Sequence, residues 1–386
     1  MRILFHCFEF PPQAGGVGSY MYQMGCALTR MGHEAVTVTS RSAGLPETEQ
    51  AECGRVYRIY DRAAIRSDQV AGEVLDIARR HGVDLIEGAD HHGELAPIIR
   101  RKDRPLVLIK IHGSNPIRVL QESHVLHGWQ RVMVRLAHLR NWQQTRAERF
   151  SIENADLAIM PSARIGRELQ RQGLRLPARS AVIPNPIVPY PGFVSAAAPT
   201  PTLLMVGRLD IGKGIQYLPA LVARLTSEMP DLVLEIAGED SYARGLGSLR
   251  NWLSAQLGPH ASRVRFLGRL GPQDLDRAYA RCWALILPSR WDNFPTVLLE
   301  AMVRGKPVVA SPHGGMPEIL EGTEGVIALP ESEDFAAAVL GFLRDSGKRQ
   351  RAGATLRRRA ESVYSPESVV RRYIEFVSQE IKGEKA

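Results

Sequence analysis

The chain has 386 residues, 44% of them hydrophobic and 23% charged, a length that suits two domains of roughly 180 residues each and a composition without the marks of disorder. Its net charge of +8 favours acidic partners but does not choose among nucleic acid, anionic lipid and a phosphorylated small molecule. No run of about 18 apolar residues occurs and the apolar start is shorter than a signal-peptide core, which argues against a spanning helix and makes the cytoplasm the expected location.

Residues 2–8 read as a strand, and FEFPPQAGGVGSY as a loop feeding a helix over 17–31. Gly15, Gly16 and Gly18 let backbone N–H groups approach a ligand at a helix N-terminus, where an anion is favoured. The spacing lacks the Rossmann fingerprint and the Walker lysine, so a tight strand-to-helix turn fits as well as a phosphate site. Strands follow at 35–39, 56–59, 83–87 and 106–113. His112 stands at the end of the last, where it either projects into the crevice of the glycine loop or is a strand-end histidine bonded to backbone. His91 and His92 follow another strand and suit an acceptor pocket or a solvated loop. Over 128–154 a helical pattern sets Trp129, Val132, Met133, Leu136, Leu139 and Trp142 on one side, with Arg131, Arg135, Arg140, Arg146 and Arg149 interleaved. Such a helix serves as a core helix with a solvated basic face, or rests on an anionic membrane surface. The cysteines, Cys7, Cys26, Cys53 and Cys282, form no Cys-x-x-Cys pair and read as buried reduced thiols.

A second α/β alternation begins after a proline-rich stretch. Pro184, Pro186, Pro189, Pro191, Pro199 and Pro201 can continue neither a helix nor a central strand. The expected division is therefore 1–185, a linker over 186–201, a second domain over 202–364, and a helix over 365–386 packing back on the body. LLMVGRLDIGKG reads as strand then loop, with Arg208 and Lys213 on the loop; LVLEIAGED and VRFLGRL repeat the pattern. Asp274 and Asp276 fall in a helix N-terminal turn, where acids suit the dipole, so no metal site is read there.

Residues 281–318 are the most informative. An apolar run over 282–287 has the composition of a buried parallel strand. Pro295 stands where a helix begins, 296–304 supply the helix, Gly305 ends it, and 306–310 form the next strand. Glu300 is surrounded in sequence by Val297, Leu298, Leu299, Ala301, Met302 and Val303, so its carboxylate either occupies a solvent-facing stripe or is satisfied by a partner or ligand. Asp292 lies in the loop at the carboxyl end of the strand, where open α/β sheets bind ligands.

With both halves in place, the chain resembles the retaining glycosyltransferases of family four. The resemblance runs nearly end to end, through the Gly15-Gly16 loop, His112, IPNPI, VGRL with Lys213-Gly214, AGE at 237–239, the segment 288–305 and GGMPE at 314–318. It implies the α/β GT-B fold: two Rossmann-like domains with parallel sheets facing across a cleft that closes over the linker. The residues that match the family's motif would take its roles. Arg208 and Lys213 would grip the diphosphate of a nucleotide-sugar, and Gly207 and Gly238 would be among the donor-binding residues. Glu300 would accept hydrogen bonds from the ribose. Asp292 and the backbone from Asn293 through Phe294 to Pro295 would hold the sugar hydroxyls. Thr296 would sit near phosphate, Gly268 and Arg269 would cradle the base, His112 would touch the sugar, and Gly15 and Gly16 would approach the phosphates or the acceptor. The family usually has glutamate where this chain has Asp292, which leaves the choice of sugar open.

The resemblance implies transfer with anomeric retention, no metal and no cofactor, a UDP- or GDP-sugar as donor, and a carbohydrate or glycolipid acceptor that allows peripheral contact with an anionic membrane. The rival readings are another GT-B activity, such as a nucleotide-sugar epimerase, and a non-catalytic nucleotide-sugar-binding protein. Nucleic acid is not an expected partner, because aromatic residues are 6% of the chain and do not interleave with the basic runs.

Overall fold

The computed structural model describes residues 1–12, 15–113, 142–190, 192–243 and 245–384. Of the helical pattern over 128–154, the part before Trp142 lies outside the described residues, as do Arg131, Arg135, Arg140 and Pro191. Two compact units are formed, one from Met1–Val188 with Tyr364–Ala386, the other from Pro189–Val363.

The first unit is an eight-stranded sheet in the order β3-β4-β2-β1-β5-β6-β7-β8. Its strands are β1 (Arg2–Cys7), β2 (Glu34–Ser40), β3 (Thr48–Ala51), β4 (Gly54–Tyr60), β5 (Leu85–Ala89), β6 (Leu106–Lys110), β7 (Leu157–Met160) and β8 (Ser180–Val182). All neighbours pair in parallel except β3 with β4. The apolar runs of β1, β5 and β6 are buried because helices cover both faces. Leu4, Val36 and Ile86 face one core with α2 (Asp68–His81); Ile3, Phe5 and Leu85 face another with α1 (Gly16–Arg30). Strand order reverses at β1, which lies between β2 and β5, and ligand crevices in open sheets form beyond the carboxyl ends of strands at such a point.

The predicted strand 106–113 is shorter than its apolar run. It ends at Lys110, and the His112 N–H turns away to donate to Asp90 Oδ1 at 2.8 Å. The antiparallel edge strand β3, TEQA, has no apolar alternation to announce it and exists by pairing with β4.

The second unit is a six-stranded, wholly parallel sheet in the order β13-β10-β9-β14-β15-β16. Its strands are β9 (Thr202–Val206), β10 (Val233–Ala237), β13 (Val264–Gly268), β14 (Ala284–Leu287), β15 (Val308–Ala310) and β16 (Val326–Ile327), and a small hairpin supplies β11 (Tyr242–Ala243) and β12 (Gly247–Ser248). The order reverses at β9, between β10 and β14. Two helices matter below: α3 (Pro272–Arg281), and α4 (Thr296–Val303), whose start after Pro295 and end before a left-handed Gly305 follow the sequence expectation. The proline-rich stretch is pinned to this unit: Ala196 and Ala198 donate to the carbonyls of Ala280 and Arg281, and Trp283 Nε1 donates to the Ala198 carbonyl. Among the described residues no helix is long and apolar enough to cross a membrane.

Candidate active site

Two loops meet at the switch point of the second sheet. The first leaves β9 at Gly207. Asp210 Oδ1 accepts the Gly212 N–H at 2.7 Å, tightening the turn that presents Lys213. The second leaves β14 and carries Asp292. The Arg290 N–H donates to the Gly212 carbonyl at 2.8 Å, and Lys213 Nζ lies 2.5 Å from Asp292 Oδ2, so residues 79 apart in sequence form one ion pair. The Asp292 backbone is seated by the GGMPE motif. Its carbonyl accepts the Gly315 N–H at 2.9 Å, and Gly314 (φ +73°) packs so close that an added Cβ would lie 1.8 Å from the same oxygen.

Asn293 and Phe294 are buried, and the Asn293 carboxamide is occupied by Trp291 Nε1 at 2.7 Å, so these side chains shape the loop from within. Pro295 is buried at the helix entry and Thr296 is exposed on the first turn of α4. Beside the loops lies a cavity of about 240 Å³ lined by Gly207, Arg208, Gly238, Glu239, Arg269 and Leu270, among others. At its edge the two backbone segments meet closely: a Cβ on Gly238 would stand 1.8 Å from the Gly207 carbonyl oxygen. Arg269 caps the rim in an ion pair with Glu239 at 3.1 Å, and Arg208 is exposed.

Glu300 is neither on a plain solvent stripe nor sealed in the core. It is part-exposed on α4, with Oε2 3.0 Å from the Tyr279 hydroxyl of α3. Burial raises its carboxyl above the ordinary range, opposed by the Tyr279 hydrogen bond and the Arg304 charge. Sequence reasoning missed Tyr279, whose place among apolar neighbours in PQDLDRAYA reads as core.

In the first unit, the loop after β6 is held by Asp90, whose carboxylate also accepts the Gly113 N–H at 3.2 Å. The His112 ring stands edge-on to Tyr20, centroids 5.0 Å apart. Burial first, then the charge of Lys110, keeps the imidazole well below its usual range and therefore neutral at pH 7. Lys110 itself is fully buried, donates to the Ile183 carbonyl at 2.7 Å, and is lowered by burial to about 7. At the glycine loop Gly15 is the N-cap of α1, and a Cβ on it would come within 2.5 Å of Glu9 Oε1. A carboxylate thus lies against the N-cap of this helix, while the space over Gly16 is open.

The pattern described as "Glycosyl transferases group 1" matches residues 194–359, and that described as "Glycosyltransferase Family 4" matches residues 14–189. The chain belongs to the family-four glycosyltransferases. Glycogen synthase of Mycobacterium tuberculosis is 28% identical to this glycosyltransferase over 408 aligned residues, covering 96% of this chain and 92% of that one. Sucrose-phosphate synthase from Thermosynechococcus elongatus superposes with a TM-score of 0.78 at 21% identity, over 99% of each chain. Anabaena HepE, solved in complex with UDP and glucose, gives 0.70 at 21% identity over 98% of this glycosyltransferase and all of that chain, 100%. These neighbours carry the fold, the GT-B architecture of two Rossmann-like domains. Among the described residues of this glycosyltransferase no group of three or more His, Cys, Asp and Glu is placed to hold a metal ion.

Proposed function

We propose that this glycosyltransferase moves a sugar from a nucleoside-diphosphate-sugar to an acceptor hydroxyl with retention at the anomeric carbon and without a metal. The observation that carries the reading is the Lys213–Asp292 pair at the switch point, with Arg208 and Glu300 on the same pair of loop-and-helix segments. A diphosphate needs cations as it departs, and Arg208 and Lys213 supply them where a metal otherwise would. Asp292, released from Lys213 as phosphate takes its place, accepts a hydrogen bond from a sugar hydroxyl, with the backbone from Asn293 to Pro295 beside it. Thr296 and the start of α4 serve phosphate, and Glu300 serves the ribose. Gly207, Gly238 and Arg269 line the cavity for the base. His112, neutral and positioned by Asp90, contacts the sugar as a hydrogen-bonding group rather than a charge. The Gly15–Gly16 loop, with Glu9 against it, suits acceptor hydroxyls better than phosphate.

In the transfer, the bond between the anomeric carbon and the phosphate oxygen breaks as the acceptor oxygen bonds on the same face, and the departing phosphate takes the acceptor's proton. UDP or GDP is the proposed leaving group; the HepE neighbour, which binds UDP and glucose, favours UDP. The acceptor is a carbohydrate or glycolipid, met in the cytoplasm, with the net charge of +8 favouring an anionic membrane surface nearby. The reading is tested by thermal shift with UDP, GDP, ADP and their sugars in buffer containing a chelator. A ligand held only by the folded chain stabilises it by about 2.7 kcal/mol at 100 times its Kd, so one base should stand out. No shift with any of them removes the reading, and a shift that needs a divalent ion removes its metal-free part.

A further inference from the structure

Tyr279 is fully buried on α3, beneath the helix that carries Glu300. Its hydroxyl lies 3.0 Å from Glu300 Oε2 and 3.1 Å from the Val297 carbonyl oxygen. Both neighbours are acceptors, so the phenol can only donate, and burial together with the Glu300 charge raises its own ionisation well above the usual range and keeps the proton on it. The ring is fixed from above by the Arg304 guanidinium, 4.8 Å from its centroid. Arg304 in turn donates to the Glu300 carbonyl at 3.0 Å and to Asp276 Oδ1 at 3.1 Å. It also stacks on Tyr190, whose hydroxyl donates to Asp276 Oδ2 at 2.7 Å. Glu300 is therefore held at its backbone and at one carboxylate oxygen by a set that reaches the chain segment entering the unit. The contacts within that set fall on Oε2 and the main-chain carbonyl of Glu300, which leaves Oε1 to receive a ligand.

We propose that Tyr279 is a positioning residue for nucleotide binding: its hydroxyl fixes the Glu300 carboxylate in the orientation that receives the 2′- and 3′-hydroxyls of a ribose. The inference rests on the ribose role given to Glu300 above. A long side chain on a helix edge samples several rotamers, and one held in the binding rotamer before the ligand arrives loses less freedom on binding. Among the described residues, the charged and titratable groups that act on Glu300 are Tyr279 and Asp276 from α3 and Arg304 at the end of α4. Tyr279 and Arg304 favour the carboxylate, whereas burial and Asp276 disfavour it. Removing the phenol hydroxyl thus raises the Glu300 carboxyl further, and the acid limb of nucleotide binding moves to higher pH.

The experiment is calorimetric titration of the full chain and its Tyr279→Phe variant with UDP and 2′,3′-dideoxy-UDP, run beside GDP and 2′,3′-dideoxy-GDP across pH. The variant should bind the preferred ribonucleotide about 5- to 20-fold more weakly, bind the dideoxy form as before, and show the acid limb displaced upward. In a Glu300→Gln background the same change should add nothing. Site-specific 3-fluorotyrosine at position 279 keeps the packing and strengthens the donor, so it should move the limb the opposite way. Equal losses for ribo and dideoxy forms, or a full effect on top of Glu300→Gln, would give Tyr279 a packing role and overturn the inference while the ribose reading stands. A wild-type chain that binds a diphosphate without preferring the ribo form overturns both.

Discussion

Asp292 is one methylene shorter than the glutamate usual at its position, and it reaches Lys213 at 2.5 Å. The pair holds together the two loops on which the proposed chemistry depends. Lys213→Ala and Arg208→Ala should each lower kcat about 100-fold while changing donor affinity less, because the cations act most strongly on the charge that develops as diphosphate leaves. Asp292→Glu should remain active and Asp292→Ala should lose about 100- to 1000-fold; steady-state kinetics on all four decide it, and a pure affinity loss for the two cation variants would count against leaving-group stabilisation. The residue types at these positions could be read from the sequence. Their pairing could not, since nothing in a loop's composition says which other loop it will meet.

At the scale of elements, α4 depends on a close backbone crossing. Gly353, on the helix Ser346–Val363, meets Gly305 just past the end of α4, and a Cβ on Gly353 would lie 2.1 Å from the Gly305 carbonyl oxygen. Backbone cannot rotate aside as a side chain can, so Gly353→Ala should cost about 3 kcal/mol and tilt the helix that carries Glu300. The converse change, Gly305→Ala, meets its nearest neighbour at 3.6 Å and bears chiefly the strain of a left-handed φ of +63°, about 1 kcal/mol. Urea unfolding of the two variants gives the order, and the reverse order would refute the crossing as the constraint. The bounds of α4 were legible because proline, apolar spacing and glycine punctuate it. The charged run KRQRAGATLRRR, residues 348–359, suggests a solvated helix face, yet it also contributes the buried Ala352 and Leu356, for which a low apolar density gave little signal.

At the scale of the whole chain, the last helix decides what a domain is. Residues Pro366–Glu384 belong to the first unit, where Val369, Val370, Tyr373 and Val377 join the core beneath α1. The unit is thus assembled from both ends of the chain, and the Ile187 N–H meets the Tyr364 carbonyl at 2.8 Å where the two strands of chain leave it. A chain ending at Val363 should lose more than about 5 kcal/mol of the first unit's stability, from several buried side chains at about 1.5–3 kcal/mol each, while the second unit keeps its own transition. Differential scanning calorimetry separates the cases; a truncated chain with an unchanged profile would show that the helix is dispensable.

The sequence by itself determined the class of element and its order, because a strand buried on both faces must be apolar along its length and a helix entry or exit takes proline and glycine for local reasons. It also supplied the candidate residues for the site, through a resemblance carried by short motifs. What only tertiary structure decided was convergence: that Lys213 meets Asp292, that Tyr279 holds Glu300, that Glu9 lies against Gly15, and that the C-terminal helix completes the first unit. Apolar periodicity is a property of neighbours along the chain, whereas an ion pair or a shared proton belongs to groups brought together by the order of strands, and that order is written in no single segment.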